Sequence, residues 1–236
     1  MSGLLFIISA PSGSGKSTLV NEVRNSVPGL EFSVSYTTRR PRGSEMNGRE
    51  YYYVEKAEFE RMINVGEFLE YADVFGNYYG TARRFLDDAM KRGNDLLLDI
   101  DVQGAEQVQQ RMREAISIFV LPPSRKELEA RLRRRSSAEN VKSEEIIQRR
   151  LRTATSEIEK YCNYGYILVN DRLEESIDCL KAIILHERHK RSGAVPSAED
   201  KEHQALAERC LLANTQDRAE AIRQAFLMEA QALSEK

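Results

Sequence analysis

The chain has 236 residues, of which 41% are hydrophobic and 31% charged, and its formal net charge is -2. This size and composition predict one main globular domain with room for a small appendage. A nearly neutral chain lacks the broad basic field of non-specific nucleic-acid binders, so we expect no nucleic-acid partner. The three cysteines form no Cys-x-x-Cys pair and leave one unpaired in any disulfide scheme, which favours the reducing cytoplasm.

The first predicted element is a buried strand at residues 4–8. Its apolar run is too short to span a bilayer and no basic segment precedes it, so we expect neither a signal peptide nor a membrane anchor. A Gly/Ser-rich turn follows, and Leu19, Val20 and Val23 then recur at helical spacing. The order of strand, tight turn and helix is typical of a phosphate-binding loop.

The segment APSGSGKST, residues 10–18, forms that turn and fits the pattern G-x-x-x-x-G-K-[ST], with alanine at the first glycine position. Glycines let backbone N–H groups converge on phosphate oxygens, Lys16 supplies a positive charge, and Ser17 can ligate Mg²⁺. A chance Gly/Ser turn is the alternative, and the flanking strand and helix disfavour it. The pattern alone does not separate a kinase from a GTPase or a motor. The residues expected to bind the nucleoside triphosphate are Ala10, Pro11, Ser12, Gly13, Ser14, Gly15, Lys16, Ser17 and Thr18.

Residues 33–80 do not follow the alternation of apolar strands and helices seen elsewhere in the chain. They hold seven of the ten tyrosines together with several arginines, glycines and short alternating runs. We expect a small sheet-rich insertion there. Beyond it, apolar strands alternate with helices, which predicts an α/β parallel sheet flanked by helices, of the P-loop NTPase type. The predicted strands are residues 95–101, 116–122 and 166–171, and the predicted helices are residues 81–92, 104–113 and 124–135.

Two later segments have a distinct composition. Residues 125–160 are rich in arginine and have little apolar periodicity around residues 136–140, which predicts helices joined by a mobile loop. After His186 the sequence RHKRSGAVPSAED reads as a linker, and the stretch from about residue 201 has apolar positions at helical spacing. We expect this tail to pack as amphipathic helices, either on the core or on a second copy in a homo-oligomer. The alternative is a frayed terminus.

The motifs together resemble one family. SVSYTTRRPRGSEMNGREYYYV and GEFLEYADVFGNYYGT are similar to the nucleotide-acceptor region of the guanylate kinases, and LLLDIDVQG is similar to the strand that follows it. With the phosphate loop, the arginine-rich segment and ILVND, the resemblance extends over roughly residues 3–187 in unbroken order. It implies direct in-line transfer of the γ-phosphoryl group of Mg·ATP to GMP, and also to dGMP, as part of purine nucleotide metabolism.

The same resemblance implies a division of the chain. Residues 1–188 would form the kinase domain and residues 189–236 a linker with a helical C-terminal extension. Within the domain, the core would comprise residues 1–32, 81–124 and 161–188, the GMP-binding insertion residues 33–80, and the lid residues 125–160.

By resemblance, the phosphate of GMP is bound by Arg39, Arg42, Tyr51 and Tyr79, and the base by Ser35, Glu70, Thr81 and Asp101. Chemistry supports these assignments, because guanidinium forks and hydroxyl donors suit a phosphate dianion. A carboxylate such as Glu70 can accept from the two donors on the guanine edge, and hydroxyls suit O6 and N7. We expect Tyr52, Tyr53 and Tyr78 to pack a small core instead.

The resemblance also assigns the remaining chemistry. The residues predicted to act in transfer are Lys16, Arg39, Arg135 and Arg150; Ser17 and Asp99 would hold Mg²⁺, directly or through water, and Asn170 would lie near the adenine of ATP. Helix capping is the alternative role for Asp99, Asp101 and Asn170. Arg133 and Arg134 are expected on a solvated helix face.

Two other functions fit parts of the sequence. A kinase acting on AMP, CMP or dTMP would share the phosphate loop and the lid, but Glu70 would then face a base edge with fewer donors. Some domains of this kind in scaffold proteins bind phosphopeptides without catalysis. Those domains typically lack the intact lysine and serine of the phosphate loop, whereas this chain retains Lys16 and Ser17.

Overall fold

The computed structural model describes residues 3–138 and 143–234. Its strands are β1 (Leu5–Ser9), β2 (Leu30–Phe32), β3 (Tyr36–Thr37), β4 (Tyr52–Tyr53), β5 (Phe68–Val74), β6 (Asn77–Ala82), β7 (Asp95–Asp99), β8 (Ile116–Leu121) and β9 (Tyr166–Val169). Its helices are α1 (Lys16–Arg24), α2 (Lys56–Asn64), α3 (Arg83–Arg92), α4 (Val102–Arg111), α5 (Arg125–Ala138), α6 (Glu144–Ile158), α7 (Leu173–Ser192), α8 (Ala198–Arg209) and α9 (Leu212–Ser234).

The chain divides into two compact units. The first contains the chain through Ile8 together with Pro28–Ile116, and the second contains Ser9–Val27 with the chain from Ser117 onward. The first unit thus carries the predicted acceptor region, and the second carries the phosphate loop, the arginine-rich helices and the C-terminal extension. The first unit contains the parallel strands β2, β7 and β1, and the second contains β8 and β9.

In the first unit the parallel strands run in the order β2, β7, β1, with Leu96 of β7 opposite Leu5 of β1. Leu96, Leu97 and Leu98 are all buried, as expected for a parallel strand that is covered on both faces. This burial on both faces explains why β7 is a continuous apolar run rather than an alternating one.

A second sheet in this unit has the order β4, β3, β6, β5. Its core contains Phe59 and Met62 of α2, and Phe59 stacks on Phe68 of β5 at a centroid distance of 4.4 Å. Tyr52 and Tyr78 pack against this core, as predicted. The insertion is therefore a small sheet with one helix, and that helix contributes Phe59 and Met62 to the core beside the sheet.

In the second unit β8 and β9 pair in parallel, with Ile118 opposite Tyr166. Helix α1 packs on α7. The extension packs on its own chain: α8 contacts α7, and α9 contacts α5, α6 and β9, burying Ala219 and Phe226. The first of the two packing arrangements predicted for the tail, packing on the core, is therefore observed.

The predicted fold class is confirmed, since parallel strands flanked by helices, a second small sheet and C-terminal helices are all present. Several boundaries were wrong. Strand β7 ends at Asp99 because Asp101 caps α4, and Thr81 lies in β6 rather than in the following helix. Helix α7 continues through Ser192 into the predicted linker and ends at Gly193, whose φ of 65° suits glycine.

Residues 139–142 of the predicted lid and the terminal residues 1–2 and 235–236 lie outside the described residues. In the part of the chain that is described, no helix is both long enough and apolar enough to cross a membrane.

Candidate active site

The phosphate loop lies in the second unit, at the N-terminus of α1. Gly15 caps this helix with φ 93°, a conformation that favours glycine, and Lys16 and Ser17 follow in the first helical turn. A β-carbon at Gly15 would collide with the side-chain amide of Asn170. The N–H groups of this turn and the helix dipole favour an anion at this position, so the prediction of a phosphate site is consistent with the local geometry.

Two side chains hold the loop through the carbonyl of Ser14. The amide Nδ2 of Asn170 donates to this oxygen at 2.7 Å, and the guanidinium of Arg131 donates to it at 3.2 Å. Arg131 also donates to the carbonyl of Asn170 at 3.1 Å, and its Nε donates to Glu127 at 2.8 Å. Asn170 is buried and does not cap α7, whose N-cap is Arg172. The sequence placed Asn170 near adenine and did not reveal this contact with the loop.

The arginine-rich helices hold the other charges predicted for transfer. Arg135 lies exposed on α5 and Arg150 is partly buried on α6. Arg133 forms a bidentate pair with Glu144 at 2.7 and 2.8 Å and also binds Glu129, so it joins α5 to α6. The prediction of a merely solvated Arg133 was incomplete, because its partner on α6 is 11 positions away in sequence.

In the first unit, three polar side chains come together at the predicted base site. Glu70 of β5 is the cross-strand partner of Thr81 in β6, and the hydroxyls of Ser35 and Thr81 are 3.3 Å apart. All three side chains are buried. A buried carboxylate beside two buried hydroxyls is the donor and acceptor set that the guanine edge requires.

Helix α4 fixes the position of Glu70. Gln107 of α4 both donates to and accepts from the backbone of Tyr71, at 2.6 and 3.3 Å, and Arg111 donates to the carbonyl of Leu69 at 2.5 Å. Gly104 faces the Glu70 carboxylate so closely that a β-carbon there has no room. The backbone on both sides of Glu70 is thus held by α4 side chains, and sequence analysis missed these contacts.

The predicted phosphate-binding arginine, Arg39, is held by a carboxylate that the sequence analysis did not single out. Its guanidinium forms two hydrogen bonds with Glu45, at 2.9 and 3.1 Å, and its Nε donates to the hydroxyl of Tyr79 at 3.2 Å. The hydroxyl of Tyr53 donates to Glu45 at 2.8 Å. Tyr53 therefore belongs to this polar cluster rather than to the small core, contrary to prediction. The stretch RRPRGSE, with Pro41 and Gly43 favouring a turn, was the available signal.

These contacts shift the pKa values of the cluster. Burial opposes the charged form of Glu45, but hydrogen bonds from Arg39, from the amide of Arg42 and from Tyr53 lower its pKa to about 2. Burial likewise opposes the charge of Arg39, and the hydrogen bonds to Glu45 and Tyr79 raise its pKa. Both partners stay ionised near neutral pH.

The remaining predicted acceptor residues lie around this cluster or on α4. Tyr51 packs edge-on against Tyr79 with ring centroids 5.6 Å apart, and burial together with the nearby charge of Asp99 raises its pKa. Arg42 is exposed. Asp101 caps α4 by accepting from the amide of Gly104 at 2.9 Å, so the capping role that the sequence left open is observed.

The residues predicted to hold Mg²⁺ offer suitable donors. Ser17 presents a hydroxyl and Asp99 a carboxylate, and such hard oxygen ligands suit Mg²⁺, which is usually bound through one or two protein groups and substrate phosphates. Among the residues that the structure describes, no group of three or more His, Cys, Asp or Glu side chains forms a metal cage. Each of the two residues separately offers the kind of oxygen donor that suits an ion arriving with a nucleotide.

Comparison with known proteins gives a consistent result. A family model described as "Guanylate kinase" matches residues 2–187. Guanylate kinase of Koribacter versatilis is 55% identical over 226 residues, which is 96% of this chain and 97% of that protein. Guanylate kinase of Geobacter metallireducens is 47% identical over 186 residues, which is 79% of this chain and 90% of that protein. The crystal structure of guanylate kinase from Anaplasma phagocytophilum is similar with a TM-score of 0.66 and 36% identity, covering 79% of this chain and 86% of that one.

Proposed function

Because the chain belongs to the guanylate kinase family, we propose that it transfers the γ-phosphoryl group of Mg·ATP to GMP, and also to dGMP, giving ADP and the diphosphate. The observation that carries the proposal is the buried set of Glu70, Ser35 and Thr81. A buried carboxylate can accept both the N1–H and the exocyclic amine of guanine, whereas adenine presents an unprotonated N1 at the equivalent position.

In this proposal the acceptor phosphate is bound by Arg39, Arg42, Tyr51 and Tyr79, with Glu45 as a positioning residue. Glu45 keeps the Arg39 guanidinium ionised and oriented before GMP binds. An incoming phosphate dianion then meets a cation whose orientation costs little further entropy. Asp101 would contact the base in addition to capping α4.

The phosphate loop would bind the β- and γ-phosphates of ATP through its backbone N–H groups and Lys16. Arg135 and Arg150 would neutralise charge on the transferring group, and Asn170 would keep the loop in shape by its bond to Ser14. Bound Mg²⁺, with Ser17 and Asp99 as its protein donors, would neutralise phosphate charge. Transfer is direct and in line, so no side chain of this chain becomes phosphorylated.

The wider assignments are also proposals. We assign residues 1–188 to the kinase domain and residues 189–236 to the linker and extension, supported by the family match over residues 2–187. We place the reaction in the cytoplasm, in purine nucleotide metabolism, with no membrane or nucleic-acid partner. The nearly neutral net charge and the three cysteines that form no disulfide support this. Homo-oligomer formation through the extension stays a prediction.

The proposal is tested by measuring ADP production with Mg·ATP and each of GMP, dGMP, AMP, CMP and dTMP. We expect turnover with the two guanine nucleotides alone. Glu70→Gln should lower kcat/KM for GMP roughly 100-fold, since a charge-assisted pair of hydrogen bonds is lost, while the KM for ATP stays unchanged. The matched control is Glu67→Gln, which removes an exposed carboxylate paired with Arg61 on the surface.

The outcomes separate the alternatives. Turnover with AMP, CMP or dTMP would show that the base site is wrongly assigned, and so would equal effects of the Glu70 and Glu67 variants. Absence of turnover with all five nucleotides would overturn the kinase proposal itself.

A further inference from the structure

Two cysteines meet where the C-terminal extension joins the rest of the second unit. Cys179 lies on α7, within the stretch that matches the family, and Cys210 is the C-cap residue of α8, in the extension. Helices α7 and α8 are joined by a short turn and pack against each other, with His189 3.5 Å from Asp200. Cys179 precedes His189 by ten residues and Cys210 follows Asp200 by ten, so equal helical rises bring the two cysteines to the same level of the helix pair. Cys210 is buried and Cys179 partly exposed, whereas Cys162 is exposed and its thiol donates to the carbonyl of Glu159 at 3.9 Å.

The backbone around Cys210 is held in place by strand β9. The amide of Ile167 donates to the carbonyl of Cys210 at 2.7 Å, and the amide of Leu212 donates to the carbonyl of Gly165 at 2.9 Å. Leu211 forms an antiparallel bridge with Tyr166. The extension is thereby hydrogen-bonded to β9 and to the residue before it, at Cys210 itself and at Leu212 just after it, so the backbone of Cys210 does not move with a free tail.

The contacts of α7 reinforce this placement. The hydroxyl of Tyr166 donates to Glu187 of α7 at 2.6 Å, next to the backbone that pairs with the extension. His189 of α7 lies 3.5 Å from Asp200 of α8, whose carboxylate completes a capping box with Ser197. Strand β9 and α8 therefore both pack on α7, the helix that carries Cys179.

The chemistry of the two thiols is unequal. A hydrogen bond from Cys210, aided by the positive charge of Arg209, lowers the pKa of Cys179 to about 7. The same interaction and burial raise the pKa of Cys210. The more accessible sulfur is thus the better thiolate, and the buried sulfur is held beside it as a resolving thiol.

We propose that Cys179 and Cys210 form a disulfide under oxidising conditions and so lock the extension covalently to α7. A peroxide would oxidise the Cys179 thiolate to a sulfenic acid, with cleavage of the O–O bond and release of hydroxide. The Cys210 thiol then attacks the sulfenic sulfur, the S–S bond forms, and water leaves. The two sulfur atoms lose two electrons in total, and the peroxide gains them.

The experiment uses the full chain with Cys162→Ser, which removes the exposed thiol and its side reactions. The protein is treated with hydrogen peroxide, alkylated, digested with trypsin without reductant and analysed by mass spectrometry. We expect a disulfide-linked pair of peptides, one containing Cys179 and the other Cys210. Its mass should equal the sum of the two free peptides less two hydrogens, and reduction should release the two peptides. The matched variants Cys162→Ser/Cys179→Ser and Cys162→Ser/Cys210→Ser should give no linked pair.

A second measurement needs no variant. The unchanged chain, oxidised and reduced, is compared by thermal unfolding, and the oxidised form should unfold at a higher temperature because the cross-link constrains the unfolded chain. Three results overturn the proposal. In the first, Cys179 and Cys210 remain reduced and are still alkylated at a peroxide dose that oxidises Cys162 in the unchanged chain. In the second, Cys179 accumulates as sulfinic acid and no linked pair forms. In the third, the disulfide joins two chains rather than two residues of one chain.

Discussion

The phosphate loop and the acceptor region recognise nucleotides by different means. The loop occupies one contiguous stretch, residues 10–18, and presents backbone N–H groups at the start of α1 together with Lys16. The acceptor region presents side chains from β5, from β6 and from the segments before and after β3, and these side chains come together only in the folded unit. A site built from backbone groups depends on the conformation of the chain, whereas a site built from side chains depends on which residues occupy its positions.

This difference predicts where each region is vulnerable. The loop is sensitive at its single charge and at the side chains that hold its shape, Asn170 and Arg131. The acceptor region is sensitive at the partners that orient its binding groups, above all Glu45. Three substitutions test the comparison.

The largest effect is expected for Lys16→Met. The variant keeps the volume of the side chain but loses the positive charge beside the phosphates, so we expect kcat to fall about 100- to 1000-fold with an unchanged unfolding midpoint. Steady-state ADP production and thermal unfolding measure the two quantities. Lys190→Met, which removes an exposed lysine, is the control and should keep full activity. A Lys16 variant within about tenfold of the unchanged chain would show that the backbone suffices.

Asn170→Ala should have an intermediate effect on activity, and this effect should appear in the KM for ATP and not in the KM for GMP. The substitution removes one of the two donors to the buried Ser14 carbonyl, so we expect a loss of about 1–2 kcal/mol in the free energy of unfolding and a roughly tenfold higher KM for ATP. The KM for GMP should stay unchanged. Asn25→Ala is the control, because its amide also donates to a carbonyl but at an exposed site. An equal rise in both KM values would contradict a role specific to the loop.

Glu45→Gln should have the smallest effect, and one that depends on pH. The folded-state pKa of Glu45 is about 2, below its ordinary value of 4.5, so its stabilising effect is complete above about pH 4.5 and is lost as the pH falls toward 2. We expect Glu45→Gln to be less stable than the unchanged chain by about 1–2 kcal/mol at pH 7, a difference kept small because solvent partly screens this ion pair. Near pH 2 the two proteins should be equally stable.

Denaturant unfolding across this pH range measures the effect, and the KM for GMP should rise several-fold as Arg39 loses its orientation. The control is Glu58→Gln. Its pKa is also lowered, by Arg61, but this carboxylate is fully exposed and should matter little at any pH. A constant difference between Glu45→Gln and the unchanged chain from pH 7 to pH 2 would exclude the ion pair as its cause.

The sequence allowed some residues of the site to be predicted and not others, for reasons that differ by residue. Lys16 and Ser17 were predictable because their roles depend on neighbours within a few positions. Thr81 was placed in a helix because its neighbours have helical periodicity, yet pairing with Glu70 keeps it in β6. The secondary-structure propensity of a short stretch contains no information about the residue that pairs with it on a neighbouring strand.

Glu45 and Tyr53 were missed for a related reason. The sequence shows a carboxylate six positions after Arg39, but only the fold shows that the turn between them brings the two charges together. The bond from Asn170 to Ser14 spans 156 positions and has no local signal at all.

The sequence by itself determined the class of fold, the phosphate loop, the acceptor stretch and the helical character of the extension, because each depends on local pattern, spacing or an ordered series of motifs. Only the tertiary structure decided which side chains hold those parts in place: Asn170 and Arg131 behind the loop, Glu45 beside Arg39, and Cys210 against Cys179. Such contacts depend on the close packing of distant segments, and packing is a property of the whole folded chain rather than of any window within it.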